Sequence, residues 1–221
     1  MNKPISLRAS IGLLLLICLS TLLYSAFSPL SAGALTRPLQ QGPLQLQVEP
    51  LKQQETTSCG EAAITMVYNY LYPDAAIKES DVIRYAIDNE YYLPHKAPFT
   101  SPANMVKVAK HYAEDIGSGN IFAQQQGLNL LLQKLQANEP VIVDVTTRLY
   151  DPDAGAHFVV VTGVSLDPSN KEIVLIHYND PLTGQSKSAR WDGEDGFWNA
   201  WQNNPDPGGS GWWMTIEAPP N

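Results

Sequence analysis

The chain is 221 residues long, 44% hydrophobic and formally charged at −8. Without a 34-residue leader, 187 residues remain, enough for one domain with a real core, and loss of Lys3 and Arg8 takes the charge to −10. So acidic a chain argues against nucleic acid or anionic lipid as a partner.

Residues 1–34 have the layout of an export signal. Lys3 and Arg8 form a basic start, an uncharged apolar run covers 11–27, and Ala32-Gly33-Ala34 offers a cleavage site. That run of 17 residues is also at the short limit for spanning a bilayer, so an uncleaved anchor is the alternative. Either form puts the rest of the chain outside the cytoplasm, secreted or periplasmic, with the membrane touched only through that anchor.

Residues 35–50 form a linker that runs into an extended segment, where Leu44, Leu46 and Val48 alternate. The domain proper then covers 51–221. The pattern predicts a helix over 59–72, with Ala62, Ala63, Met66, Val67, Tyr70 and Leu71 on one face and Pro73 stopping it. A second helix is expected over about 80–88. A third begins at Ser101-Pro102, a capping residue followed by a first-turn proline. A fourth covers about 127–137, with Leu128, Leu131, Leu132 and Leu135 at helical spacing. The chain then turns β-branched: strands are expected at 140–145, 157–162 and 172–178, and a last short one at 212–216. Asp167-Pro168-Ser169-Asn170 supplies a turn between the second and third strands. Helices first and an antiparallel sheet after make an α+β layout.

Cys59 is the only cysteine left once the leader, which holds Cys18, is removed. A lone thiol outside the cytoplasm has no intrachain disulfide to form. It stands where a polar stretch gives way to a helix, and there the first-turn amides and the helix dipole favour a thiolate. A cysteine nucleophile also needs a base, a group to orient that base, and oxyanion donors. His157, at the start of a strand, is the best base. A tight hairpin about 167–170 would set Asn179 or Asp180 opposite His157, and a one-residue slip exchanges the two. Gln53, six residues before Cys59, is placed to fold back as an oxyanion donor beside the Cys59 amide, with Gln54 as its neighbouring competitor.

Gln53…Cys59-Gly60-x-Ala62-Ala63, the strand at 140–143, Gly155 to Gly163 around His157, Asn179-Asp180-Pro181 and Phe197-x-x-x-Trp201 resemble papain-like cysteine peptidases. The chain is most similar to the branch of bacteriocin-processing, double-glycine leader peptidases and their free-standing relatives. The resemblance covers roughly 48–201. It implies a papain-like fold, helices packed on an antiparallel sheet, with a triad of Cys59, His157 and Asp180 and Gln53 in the oxyanion hole. In that branch the third member is the Asp of an Asp-Pro pair, which favours Asp180 over Asn179. Two departures weaken the transfer of the bacteriocin substrate: the chain has no many-span transporter, and it carries a longer helical insert at about 74–126.

The reaction so implied is peptide hydrolysis through an acyl-enzyme, on a peptide or protein substrate, with no metal or organic cofactor. A γ-glutamyl transpeptidase of the phytochelatin-synthase type, a wall-peptide amidase and a non-catalytic peptide-binding module are the alternatives. Asp151 and Asp153 open like a calcium loop but lack the remaining ligands. His95, His111 and His177 have no companions at metal-ligand spacing. Asp192, Glu194 and Asp195 suit a solvated turn, and Trp198, Trp201, Trp212 and Trp213 suit core or rim packing.

Overall fold

The computed structural model describes residues 42–96, 99–148 and 154–217. The leader and its cleavage site, Cys18, Asp151 and Asp153 lie outside the described residues.

A two-residue strand, β1 (Leu44–Gln45), leads through a loop to helix α1 (Cys59–Leu71) and a short 3-10 turn (Pro73–Ala75). Helices α2 (Glu79–Asp88) and α3 (Pro102–Tyr112) follow, then β2 (Ile116–Asn120) and α4 (Gln124–Gln136). The sheet is completed by β3 (Val141–Thr146), β4 (Ala156–Leu166), β5 (Val174–Asp180), β6 (Gln185–Arg190) and, after α5 (Phe197–Gln202), β7 (Trp212–Ile216). The order is β2-β7-β3-β4-β5-β6, with β1 beside the far half of β4, and every pairing is antiparallel. The fold is therefore α+β and papain-like, as expected.

Sequence punctuation sets the helix ends. Ser101 caps α3 by accepting from the Asn104 N–H, and Pro102 takes the first turn, where its missing N–H costs nothing. Pro73 follows α1 within two residues.

Strand alternation sends side chains to two cores. Ile142, Phe158, Val160 and Met214 meet α1, α2 and α3 on one face. Val141, Val143, Val145, Val159, Val161 and Ile176 meet α4 and α5 on the other. All six residues of β3 are buried, which a sheet covered on both faces requires. Each fully buried Val, Leu or Ile contributes about 1.5–3 kcal/mol. The first nine residues of α1 are all buried. At Gly60 the helix comes so close to α3 and β4 that a Cβ would stand 2.4 Å from Met105 Sδ and 3.3 Å from Phe158 Cδ2. Trp201 and Trp212 are core residues, and Trp191, Trp198 and Trp201 pack as a cluster.

The β4–β5 hairpin departs from the expected register. Val160, not His157, stands opposite Asn179, and a bulge lies between Val161 and Gly163. The tight four-residue turn is a seven-residue loop, 167–173. Asp167 Oδ1 accepts from the Ser169 and Asn170 amides, and Ile173 N–H returns to Asn170 O. The turn residues were correctly placed, but the chain takes three more residues before the ladder begins. Among the described residues no helix is long and apolar enough to cross a membrane.

Candidate active site

Cys59 is the first residue of α1 and is buried. The loop before it is tied down at each step. Gln53 N–H donates to Pro181 O at 2.8 Å, linking the loop to the end of β5. Gln54 N–H donates to both oxygens of Glu79 at 3.0 and 3.2 Å, and Ser58 Oγ donates to Glu79 Oε1 at 2.7 Å. Glu79, at the start of α2, thus fixes the turn that delivers Cys59 to its helix. Burial raises its carboxyl, and the Gln54 and Ser58 donors oppose that. Nothing local in the sequence marks Glu79, because its partners are 21 and 25 residues away.

His157 is the second residue of β4, and Asp180 is the last of β5. His157 Nε2 and Asp180 Oδ1 are 2.8 Å apart, both groups buried. One step on from Val160–Asn179, Asp180 stands across from Val159, so it meets His157 on the diagonal, within reach of two such side chains. Asp180 and His157 share the face that carries Val159 and Tyr178, and the slipped register therefore still joins them. Asn179 points to the opposite face. Its Nδ2 donates to Val48 O at 2.8 Å, and its Oδ1 accepts from Ser186 Oγ at 2.7 Å. The choice left open between Asn179 and Asp180 falls to Asp180 as the imidazole's partner.

The rest of Asp180 is also occupied. Oδ1 accepts from Leu182 N–H at 2.9 Å, and Oδ2 accepts from Thr183 Oγ1 and, at 2.6 Å, from Lys187 Nζ on β6. Burial alone would raise this carboxyl, but the His157 and Lys187 contacts outweigh it and hold it well below the usual range. Burial alone would lower His157, yet its bonds to Asp180 and Cys59 push the imidazole up to about 9. With Nε2 on Asp180, the nitrogen left for the thiol is Nδ1. Lys187 was not foreseen, because a strand reading Gln-Ser-Lys-Ser-Ala-Arg has no apolar alternation to announce it.

Gln53 reaches the same cavity as Cys59, but its amide points elsewhere. Nε2 donates to Glu55 O at 2.8 Å and Thr56 O at 2.7 Å, using both of its hydrogens. In this arrangement it buttresses the loop; it reaches an oxyanion only by turning. Gln54 is held by Glu79 through its backbone.

Cys59 and His157 open on a cavity of about 410 Å³, in the size range of ligand sites, walled by Phe99, Phe158, Leu182, Pro205 and Pro207. Asp206 also lines it. Behind Asp206, on β3, lies the fully buried Asp144, with no donor in hydrogen-bonding geometry at either oxygen. Burial first, and then Asp206, holds Asp144 well above the usual carboxylate range. Two such carboxyls bond to each other only when they share a proton. A larger hollow of about 580 Å³ opens behind the loop, against Leu51, Met66 and Glu79, but neither Cys59 nor His157 lines it. Among the described residues no group of three or more His, Cys, Asp or Glu side chains is arranged to hold a metal ion. His111 stacks on Tyr85, and His177 pairs with Ser165 Oγ at 2.7 Å.

The sequence profile described as Peptidase_C39 like family matches residues 45–206, which hold Gln53, Cys59, His157, Asp180 and Lys187. No curated protein matches the chain.

Proposed function

The chain belongs to the Peptidase_C39 like family, papain-like relatives of the C39 cysteine peptidases, and from that premise we propose that it hydrolyses peptide bonds through Cys59, His157 and Asp180. The observation that carries this reading is His157, bonded to Asp180 at 2.8 Å through Nε2 and lining the same cavity as Cys59.

In the proposed reaction His157 Nδ1 takes the proton of the Cys59 thiol, and the thiolate adds to the substrate carbonyl. The carbonyl oxygen becomes an oxyanion. It faces the first turn of α1, where the Cys59 N–H has no intrahelical acceptor. Gln53 adds a second donor if its amide leaves the Glu55 and Thr56 carbonyls. The C–N bond breaks as His157 returns its proton to the departing amine, leaving a thioester on Cys59. Water, losing a proton to His157, then attacks the thioester; the acid product leaves, and the thiol regains its proton. Asp180 holds the ring so that Nδ1 faces sulfur throughout, and stabilises the imidazolium.

The proposal includes export, on the strength of Lys3, Arg8, the apolar run 11–27 and Ala32-Gly33-Ala34. It accounts for a single thiol kept for chemistry rather than paired.

Peptide mixtures read by mass spectrometry test the activity. Wild-type protein is expected to cut, and Cys59→Ala and His157→Ala are not. Cleavage surviving in Cys59→Ala would overturn the reading. Turnover of glutathione or peptidoglycan fragments in place of peptides would move it to a transpeptidase or an amidase.

A further inference from the structure

Among the described residues four large apolar side chains are well exposed: Ile87, Phe99, Phe122 and Leu182. Two of them, Phe99 at 46% and Leu182 at 44%, line the one cavity that holds Cys59 and His157. Phe158, Pro205 and Pro207 complete an apolar wall. Exposed aromatic and aliphatic groups gathered at a concave site indicate a ligand surface rather than incidental exposure. Of the ionisable groups in this lining, His157 is bonded to Asp180, and Asp206, near the buried Asp144, keeps its Oδ1 without a hydrogen-bond partner.

The Phe99 wall is held to the catalytic helix from behind. Thr100 Oγ1 donates to Glu61 Oε1, and Glu61 lies fully buried on α1, two residues after Cys59. Tyr92, also buried, bonds through its hydroxyl to Thr57 Oγ1 at 2.9 Å, in the loop before Cys59. Both ties come from the helical insert. Leu182 is fixed to the end of β5, because its N–H donates to Asp180 Oδ1. The two walls are thus registered to the nucleophile and to the imidazole's partner respectively.

We propose that this cavity is a specificity subsite for a bulky apolar residue of the peptide substrate, gripped between Phe99 and Leu182, with Thr100 and Glu61 as positioning residues. This rests on the peptidase reading for its substrate, but not for its pocket, and the two are separable by experiment. A residue with no side chain, such as glycine, leaves both walls uncovered. An acidic side chain loses water there and meets Asp206, another carboxyl, instead of a partner.

Two measurements on the full chain test it. The first is protection of Cys59 from iodoacetamide by N-acetyl-leucinamide and N-acetyl-phenylalaninamide, against the glycinamide and aspartamide. The second is kcat/KM on peptides differing only at the residues flanking the scissile bond. The apolar amides are expected to protect, and apolar peptides to be preferred over glycine by about tenfold or more. Phe99→Ala and Leu182→Ala should each erase most of that preference and most of the protection by the apolar amides. Thr100→Val should raise KM for the apolar peptide with kcat nearly kept. Equal protection by glycinamide, or cleavage without apolar preference, overturns this proposal and leaves the peptidase reading standing. Apolar protection without any cleavage supports the subsite and sinks the peptidase reading instead.

Discussion

Asp180 and Asn179 are neighbours in sequence with opposite duties, and substitution should separate them. Asp180→Ala removes the orienting partner of His157, so turnover should fall roughly a hundredfold or more, the scale seen when a triad orienter is lost. Asn179→Ala leaves the ring alone but strands the Val48 carbonyl and the Ser186 hydroxyl, which should cost about 1–3 kcal/mol of stability with turnover nearly kept. Urea melts and steady-state kinetics on both variants check the pair; a reversed ranking would contradict the assignment. The pH profile gives a second check. The leaving amine needs a protonated His157, which is held up to about 9, so kcat/KM should fall as pH rises through about 9. Asp180→Asn weakens the bond that holds the imidazolium, and the alkaline limb should move to lower pH. Cys59 and His157 were legible because residue type and spacing alone single them out. Lys187 and Glu79 were not, because each acts through a partner that only tertiary structure brings near. Asp180 lay between these cases, and the face of β5 on which it falls decided it.

Helix α1 buries Glu61 completely, with Thr100 on one oxygen and no donor on the other. Burial raises this carboxyl to about 7, from 4.5 when exposed. A raised carboxylate works against folding once charged. Stability from this group is greatest below pH 4.5 and falls as pH rises, by about 3 kcal/mol once pH passes 7. Glu61→Gln keeps the shape and removes the charge, so it should flatten the decline between pH 4.5 and 7. Parallel melting-temperature profiles of wild type and variant check this; identical slopes would contradict it. The helices were legible at this scale because their apolar spacing and caps are local, as Ser101-Pro102 shows. Two strands were not. β6 is polar throughout, and β2 reads Ile-Gly-Ser-Gly-Asn, with a strand's shape only because β7 pairs with all five of its residues. The hairpin register failed for a related reason: a loop's length is set by where the ladder's side chains find their core, not by its turn residues.

For the whole molecule, the sequence pointed to helices on an antiparallel sheet but not to both faces being covered. The signal was present in Val141-Ile-Val-Asp-Val145, a strand without polar alternation except at Asp144, and α4 and α5 supply its second cover. Cys59, His157 and Asp180 lie where α1 begins, β4 begins and β5 ends, so the site depends on the whole sheet being assembled. The proposed export would set where it works. N-terminal sequencing of the natural protein should begin at or near Leu35, with the domain outside the cytoplasmic membrane; recovery in the cytoplasm would remove that part of the proposal. The central claim, that Cys59 is a nucleophile set by His157 and used to cut peptides, is met most directly by alkylation. Iodoacetamide should place one group on Cys59, located by peptide mapping, with peptide cleavage lost in step. The rate should be at least about tenfold slower in His157→Ala. Equal rates in the two proteins, with cleavage persisting after Cys59 is fully alkylated, would contradict it.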